Sequence, residues 1–248
     1  MSKASNFAAV VGSAVALTAV GMSTAQANHI DNFTTFQEVT NDENVGSSSS
    51  LLAAPIGGVT GSGLISRELV VTNTSNVDLN ESRTESTGAP SDALLFDKLT
   101  NTFATWEANY LWSAADPFDM VDAGGANWDS LGYVILENSM PFIDVTFSVT
   151  DVGGNTATAD VDNVPFILSG SPQSFLISYS DFTNALAVDF SQVTEFQLFA
   201  DGTDAGNSGG IEFDILTREN TTPAVVPVPA TVLLFALGLL GLRLRKHV

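Results

Sequence analysis

Residues 143–150 run Ile143-Asp-Val-Thr-Phe-Ser-Val-Thr150. Ile143, Val145, Phe147 and Val149 alternate with Asp144, Thr146, Ser148 and Thr150, so an extended chain turns one face to a core and the other to water. Asp151-Val-Gly-Gly-Asn155 follows as a turn and Thr156-Ala-Thr-Ala-Asp-Val161 as a return strand, which predicts a hairpin. The alternation recurs at 174–179 (Phe175, Ile177 and Tyr179 inward), 195–200 (Phe196, Leu198) and 211–216 (Ile211, Phe213, Ile215). Further strands are expected at 64–72, 103–112 and 131–137. Between the two apolar ends of the chain no window sustains a helical period, and 181–193 holds a short helical turn. Gly46-Ser-Ser-Ser-Ser50 and 57–63 are expected as flexible connections, and 73–92 as a long polar loop on the rim. Many short strands separated by Gly, Asn and Asp predict an all-β fold, an antiparallel jelly-roll-like sandwich over residues 28–222.

Composition narrows the chemistry open to that sandwich. Cysteine is absent from the 248 residues, so stability comes from packing or bound ions and not from disulfides. Residues 28–222 hold all 28 acidic residues of the chain against Arg67, Arg83, Lys98 and Arg218, a net charge of −24. Such a charge repels nucleic acid and anionic lipid. A histidine-assisted nucleophile finds no base there, because His29 stands near the start and His247 at the end. Zinc has neither cysteine nor clustered histidine to bind it. No cofactor is required, with calcium as the one metal to consider.

Both ends carry export features. Met1 to Ala27 has Lys3, a short apolar stretch and a small-x-small site at Ala25 and Ala27, which predicts a secretory signal helix removed after delivery through the Sec machinery. Residues 223–248 hold Val226-Pro227-Val228-Pro229-Ala230, an uncharged apolar run at 231–242, and a basic end at 243–248 with Arg243, Arg245 and Lys246. The run spans roughly 18 Å as a helix against about 30 Å of bilayer core. Snorkelling of the basic end lengthens it into a transmembrane helix whose cations stay cytoplasmic. The prolines keep the preceding segment out of helix and open to a processing enzyme.

This layout resembles the PEP-CTERM sorting signal of Gram-negative bacteria, in the variant where Val-Pro-x-Pro-Ala replaces Pro-Glu-Pro. The matching residues are Val226, Pro227, Pro229, Ala230, the apolar run and the basic tip, with Val228 where the majority form has an acid. The resemblance implies an exosortase as partner, a passing stay in the inner membrane, cleavage near the prolines, and export to the cell surface or exopolysaccharide matrix. The middle of the chain is similar to galactose-binding-like sandwiches, most visibly at Gly63-Leu-Ile-Ser-Arg67-Glu-Leu-Val-Val71 and from Phe190 to Phe199 with Ile211-Glu-Phe-Asp-Ile215. That likeness implies a fold and transfers no ligand.

Two constellations are candidate binding sites. Trp106, Tyr110 and Trp112 share one strand face and could stack on a pyranose ring, or else fill the core, which is the commoner use of such side chains. Trp128, between Asn127 and Asp129, is the more exposed candidate. Asp201-Gly-Thr-Asp204-Ala-Gly-Asn207 offers oxygen ligands in a glycine-rich loop of the kind calcium accepts. Asp116, Asp119 and Asp122, and Asp160, Asp162 and Asn163, are looser acidic spacings of the same sort. Together these features point to a non-enzymatic surface or matrix protein, structural or adhesive, with a carbohydrate-binding module as the alternative and a glycosidase as a further one.

Overall fold

The computed structural model describes residues 29–220 apart from 42–44, 77–81, 88–91, 100–101, 123–126, 141 and 206–207. The signal segment and the sorting tail lie outside the described residues, as do the two flanking helices expected there. Among the described residues no helix is long and apolar enough to cross a membrane.

Among the described residues thirteen strands follow in chain order: β1 (His29–Asp31), β2 (Gln37–Asn41), β3 (Gly46–Ala53), β4 (Leu64–Asn76), β5 (Ser82–Ser86), β6 (Leu94–Lys98), β7 (Thr102–Trp112), β8 (Ser130–Asn138), β9 (Asp144–Asp151), β10 (Thr156–Val161), β11 (Gln173–Ser178), β12 (Val193–Asp201) and β13 (Gly209–Glu219). They form two antiparallel sheets. One runs β11-β8-β13-β6-β5-β2, with β1 also on β13, and the other runs β10-β9-β12-β7-β4-β3. The hairpin expected at 143–161 is β9 and β10, paired Thr156 to Thr150 through Val161 to Val145. The short helical turn expected within 181–193 is the 3-10 turn Ala185–Ala187, preceded by another at Tyr179–Asp181.

Alternation places the core. Trp106, Ala108, Tyr110 and Trp112 of β7, Phe147 of β9 and Phe196 of β12 face Phe96, Tyr133 and Phe213 of the other sheet, all buried. Rings from the two sheets meet directly, as Phe96 with Trp106 at 6.0 Å and Tyr133 with Phe147 at 4.9 Å between centroids. Such aromatic pairs add about 0.5–1.5 kcal/mol each beyond the area they bury.

Two segments expected as loops are strands. Gly46 to Ala53 pairs residue for residue with β4 as its sheet's edge, and β5 pairs with both β2 and β6. Their inward positions explain the difference. Ser82, Thr84 and Ser86 are the buried residues of β5, so its inner face carries hydroxyls where a hydrophobic pattern would carry aliphatics. Ser86 answers its burial by donating to the Thr35 carbonyl at 2.9 Å.

The two sheets are stitched along one edge by a dry ion pair. Arg67 donates to Asp31 Oδ2 at 2.7 Å, to Gln37 Oε1 at 2.8 Å and to the Thr35 carbonyl at 2.7 Å. Tyr110 donates to the same Asp31 oxygen at 2.8 Å, and the Phe33 N–H to the other at 2.7 Å. Phe33 is thereby held at a positive φ of 55°, a conformation that disfavours a bulky side chain. Gln37 in turn donates to the Ser50 carbonyl of β3 at 2.7 Å. Arg67→Met leaves the Asp31 carboxylate buried without its cation, so it is expected to lower unfolding free energy by about 3–5 kcal/mol. Urea denaturation measures this, and Asp31→Leu combined with Arg67→Met is expected to lose less than the two single variants added together.

Asp151 pins the turn after β9. Its carboxylate accepts N–H groups from Asp189, Asn155 and Gly153 and the Asn155 amide. The Asp189 N–H first, then the Asn155 side chain, hold it down at about 2. A depressed carboxylate stabilises the fold above its ordinary value, and that share is lost as pH falls through about 2. Asp151→Asn is therefore expected to flatten the acid limb of a stability-against-pH curve and to lower stability at pH 7.

Candidate functional site

Cations are placed inward and anions outward. Of the four basic residues between 28 and 222, Arg67, Lys98 and Arg218 are 0, 2 and 2% exposed, and only Arg83 reaches the surface. Among the described carboxylates only Asp31 and Asp151 are buried. The outside of the sandwich is therefore a field of carboxylates with one arginine among them.

Strand register gathers part of that field into a line on the outer face of the first sheet. Glu38 lies opposite Glu85, Glu85 opposite Leu95, Leu95 opposite Glu212, and Glu212 opposite Glu137. Thr40, Arg83, Asp97 and Gly210 form the next row. Arg83 reaches Glu85 at 3.3 Å and Asp97 at 3.7 Å, contacts worth under about 1 kcal/mol at a wet surface. Like charges directly opposite across strands are unfavourable, and the Glu137–Glu212 pair has no described cation beside it.

At that end of the rows lies a cleft of about 270 Å³ lined by Leu95, Asp97, Glu137, Ser139, Gly209, Gly210 and Glu212. Its glycines are tucked tightly against their neighbours. A Cβ on Gly210 would come 2.9 Å from the Phe96 carbonyl, and one on Gly209 2.6 Å from Ser139 Oγ. Ser139 accepts from the Gly210 N–H at 3.0 Å, holding the start of β13 against the end of β8. Burial raises Glu212 above the ordinary carboxylate value, and Glu137 and Asp214 add to it. Burial also raises Asp97, against the pull of Arg83 and of the Lys98 N–H. Chemically the cleft is a set of hydrogen-bond acceptors suited to hydroxyl or ammonium donors.

The aromatic side chains nominated for glycan contact lie elsewhere. Trp106, Tyr110 and Trp112 are 0, 0 and 1% exposed, so they are core and present no ring to a ligand. Trp128, expected at the surface, is 7% exposed. The Arg218 guanidinium covers it, 3.9 Å from its ring centroid and 4.7 Å from that of Phe118. Nothing in the local sequence shows that a residue 90 positions away closes over this ring.

The acidic spacings are spent on hydrogen bonds within the fold. Asp119 accepts the N–H groups of Val121 and Asp122, Asp116 accepts from Ser62, and Asp160 accepts from Thr146. In the loop nominated for calcium, Asp201 turns back to accept from the Thr203 N–H and hydroxyl at 2.9 and 2.6 Å. Asp204 is exposed and Asn207 lies outside the described residues. Among the described residues no three His, Asp or Glu side chains gather as metal ligands.

Comparison with known proteins locates the export feature. Residues 225–246 match the PEP-CTERM protein-sorting motif. This chain carries a PEP-CTERM tail. The match spans the residues singled out above, Val226, Pro227, Pro229, Ala230, the apolar run and Arg243 to Lys246. No curated protein matches the chain. Among solved structures, the family 11 carbohydrate-binding module of a cellulosomal cellulase of Clostridium thermocellum is similar at 10% identity and TM-score 0.38, over 78% of this chain and 94% of that one. An exo-β-agarase is similar at 10% identity and TM-score 0.41, over 79% of this chain and 26% of that one.

The cleft sits at the start of β13. The strand begins there with Gly209 and ends at Glu219, roughly 30 Å further on at about 3.3 Å per residue. His29 pairs with Thr217, so both termini of the described sandwich share the pole away from the cleft.

A raised carboxylate disfavours the fold once ionised, so its cost appears as pH rises from 4.5 through the raised value. Glu212→Gln is accordingly expected to raise Tm at pH 7 by about 2 °C, the order set by removing one such repulsion. Below pH 4 the variant and the parent are expected to melt together.

Proposed function

We propose that this chain is a non-catalytic exported protein, released by an exosortase at the surface of a Gram-negative bacterium, where its acidic sandwich serves a structural or adhesive role in the exopolysaccharide matrix. The observation that carries this reading is the PEP-CTERM tail at 225–246.

The cleft favours a second reading, that of a carbohydrate-binding module. Asp97, Glu137 and Glu212 supply acceptors for sugar hydroxyls, and carboxylates among few cations suit a neutral or amine-bearing polysaccharide better than an acidic one. The full chain in detergent is tested on an array of matrix polysaccharides beside the Glu137→Gln, Glu212→Gln double variant. Retention that falls at least about tenfold in the variant, a loss of about 1.4 kcal/mol, supports the module. Absence of retention with weakened biofilm cohesion on deletion supports the structural role alone. Release of reducing ends that stops on Glu137→Gln contradicts both and marks a glycosidase.

A further inference from the structure

The loop after β12 has the composition of a metal site and is built around a different cation. Lys98, the last residue of β6, is buried. Its ammonium donates to the Thr102 carbonyl at 2.8 Å, to the Gly202 carbonyl at 2.9 Å, and to the Ala205 carbonyl. An ammonium has three N–H donors and no acceptor, and here three neutral carbonyls use all of them. The loop that provides two of these oxygens is closed on itself, with the Ala205 N–H on the Gly202 carbonyl at 3.2 Å and the Gly202 N–H on the Ala104 carbonyl at 3.0 Å. It also sits against the core, since a Cβ on Gly202 would approach the Trp106 ring to 2.6 Å.

We propose that the 201–205 loop is a monovalent-cation site that the chain fills with its own Lys98 ammonium, in the place the sequence suggests for calcium. The number and kind of oxygens favour this occupant. Calcium takes six to eight oxygens at about 2.3–2.6 Å, with carboxylates prominent among them. The cage offers three neutral backbone carbonyls, one for each N–H of the ammonium. Asp201, the nearest carboxylate in the loop, is bonded to Thr203 and acts on Lys98 through its charge, opposing the downward pull of burial on the ammonium. The sandwich therefore closes this end without a divalent ion, and its outer carboxylates are left free of that duty. The inference does not depend on any ligand for the cleft.

Lys98 is the sole lysine between Lys3 and Lys246, which makes it directly addressable. The full chain in detergent is acetylated with an amine-reactive reagent and mapped by mass spectrometry, with Lys246 as the accessible reference. Lys98 is expected to react at least about 100-fold more slowly than Lys246 in the native protein, as a group reached only through local opening does, and at a similar rate in denaturant. Calcium and a chelator are expected to leave the wild-type Tm unchanged. Lys98→Ala is expected to lower Tm, with ammonium or methylammonium chloride restoring more of it than sodium chloride at equal ionic strength. Native labelling of Lys98 as fast as Lys246 would overturn the proposal. So would a calcium-dependent rise in Tm that Asp201→Asn abolishes, or a Lys98→Ala protein recovered equally by every salt or by none. If Lys98→Ala does not fold, the two wild-type measurements decide.

Discussion

A charge taken out of water has to be answered on every side, and this sandwich contains three such cations at its seams. Arg67 is answered by Asp31, Gln37 and the Thr35 carbonyl, Lys98 by three carbonyls, and Arg218 by the Asp119 carbonyl at 2.6 Å and the faces of Trp128 and Phe118. Most of these acceptors are backbone carbonyls of segments that join strands. Strand ladders satisfy their own carbonyls, whereas connections leave theirs to be met by side chains or water. A buried cation meets several at once, and removing it strands them all. That is why so few basic residues suffice, and why they are the least replaceable polar groups in the domain.

The inward use of cations shapes the outside as well. With Arg67, Lys98 and Arg218 consumed in the interior, the carboxylates of the first sheet face water with Arg83 alone among them. Glu137 and Glu212 sit opposite each other at a cost that packing elsewhere offsets. Direction is built into the same sheet. β13 carries the cleft at Gly209 and Gly210 and runs to the opposite pole, where its Thr217 pairs with His29 of β1.

Much of the strand content was legible locally because those strands have one dry face. β9, β10 and β12 show the alternation plainly, and β7 shows it with aromatics. β5 was not legible, since its buried positions are the hydroxyl residues Ser82, Thr84 and Ser86, where a hydrophobic pattern would carry aliphatics. β3 was hidden for a related reason: Ser47, Ser49, Leu51 and Ala53 belong to an edge strand, where pairing with β4 and not burial supplies the order. The aromatic stretch of β7 showed correctly that Trp106, Tyr110 and Trp112 share a face. It could not show which face the second sheet would cover. Trp128 needed Arg218, and the 201–205 loop needed Lys98, both brought from distant strands.

By itself the sequence determined that this chain is β-rich, acidic and free of disulfides, and that it ends in a PEP-CTERM tail. Those properties are written in period, composition and short contiguous motifs, which depend only on near neighbours. Tertiary structure alone decided which residues meet. Side-chain period tells which positions share a face, but the neighbour of a strand is chosen by non-local pairing, and the dry face by what the opposite sheet covers. The carboxylate cleft, the covered tryptophans and the ammonium inside its cage of carbonyls all follow from those two choices.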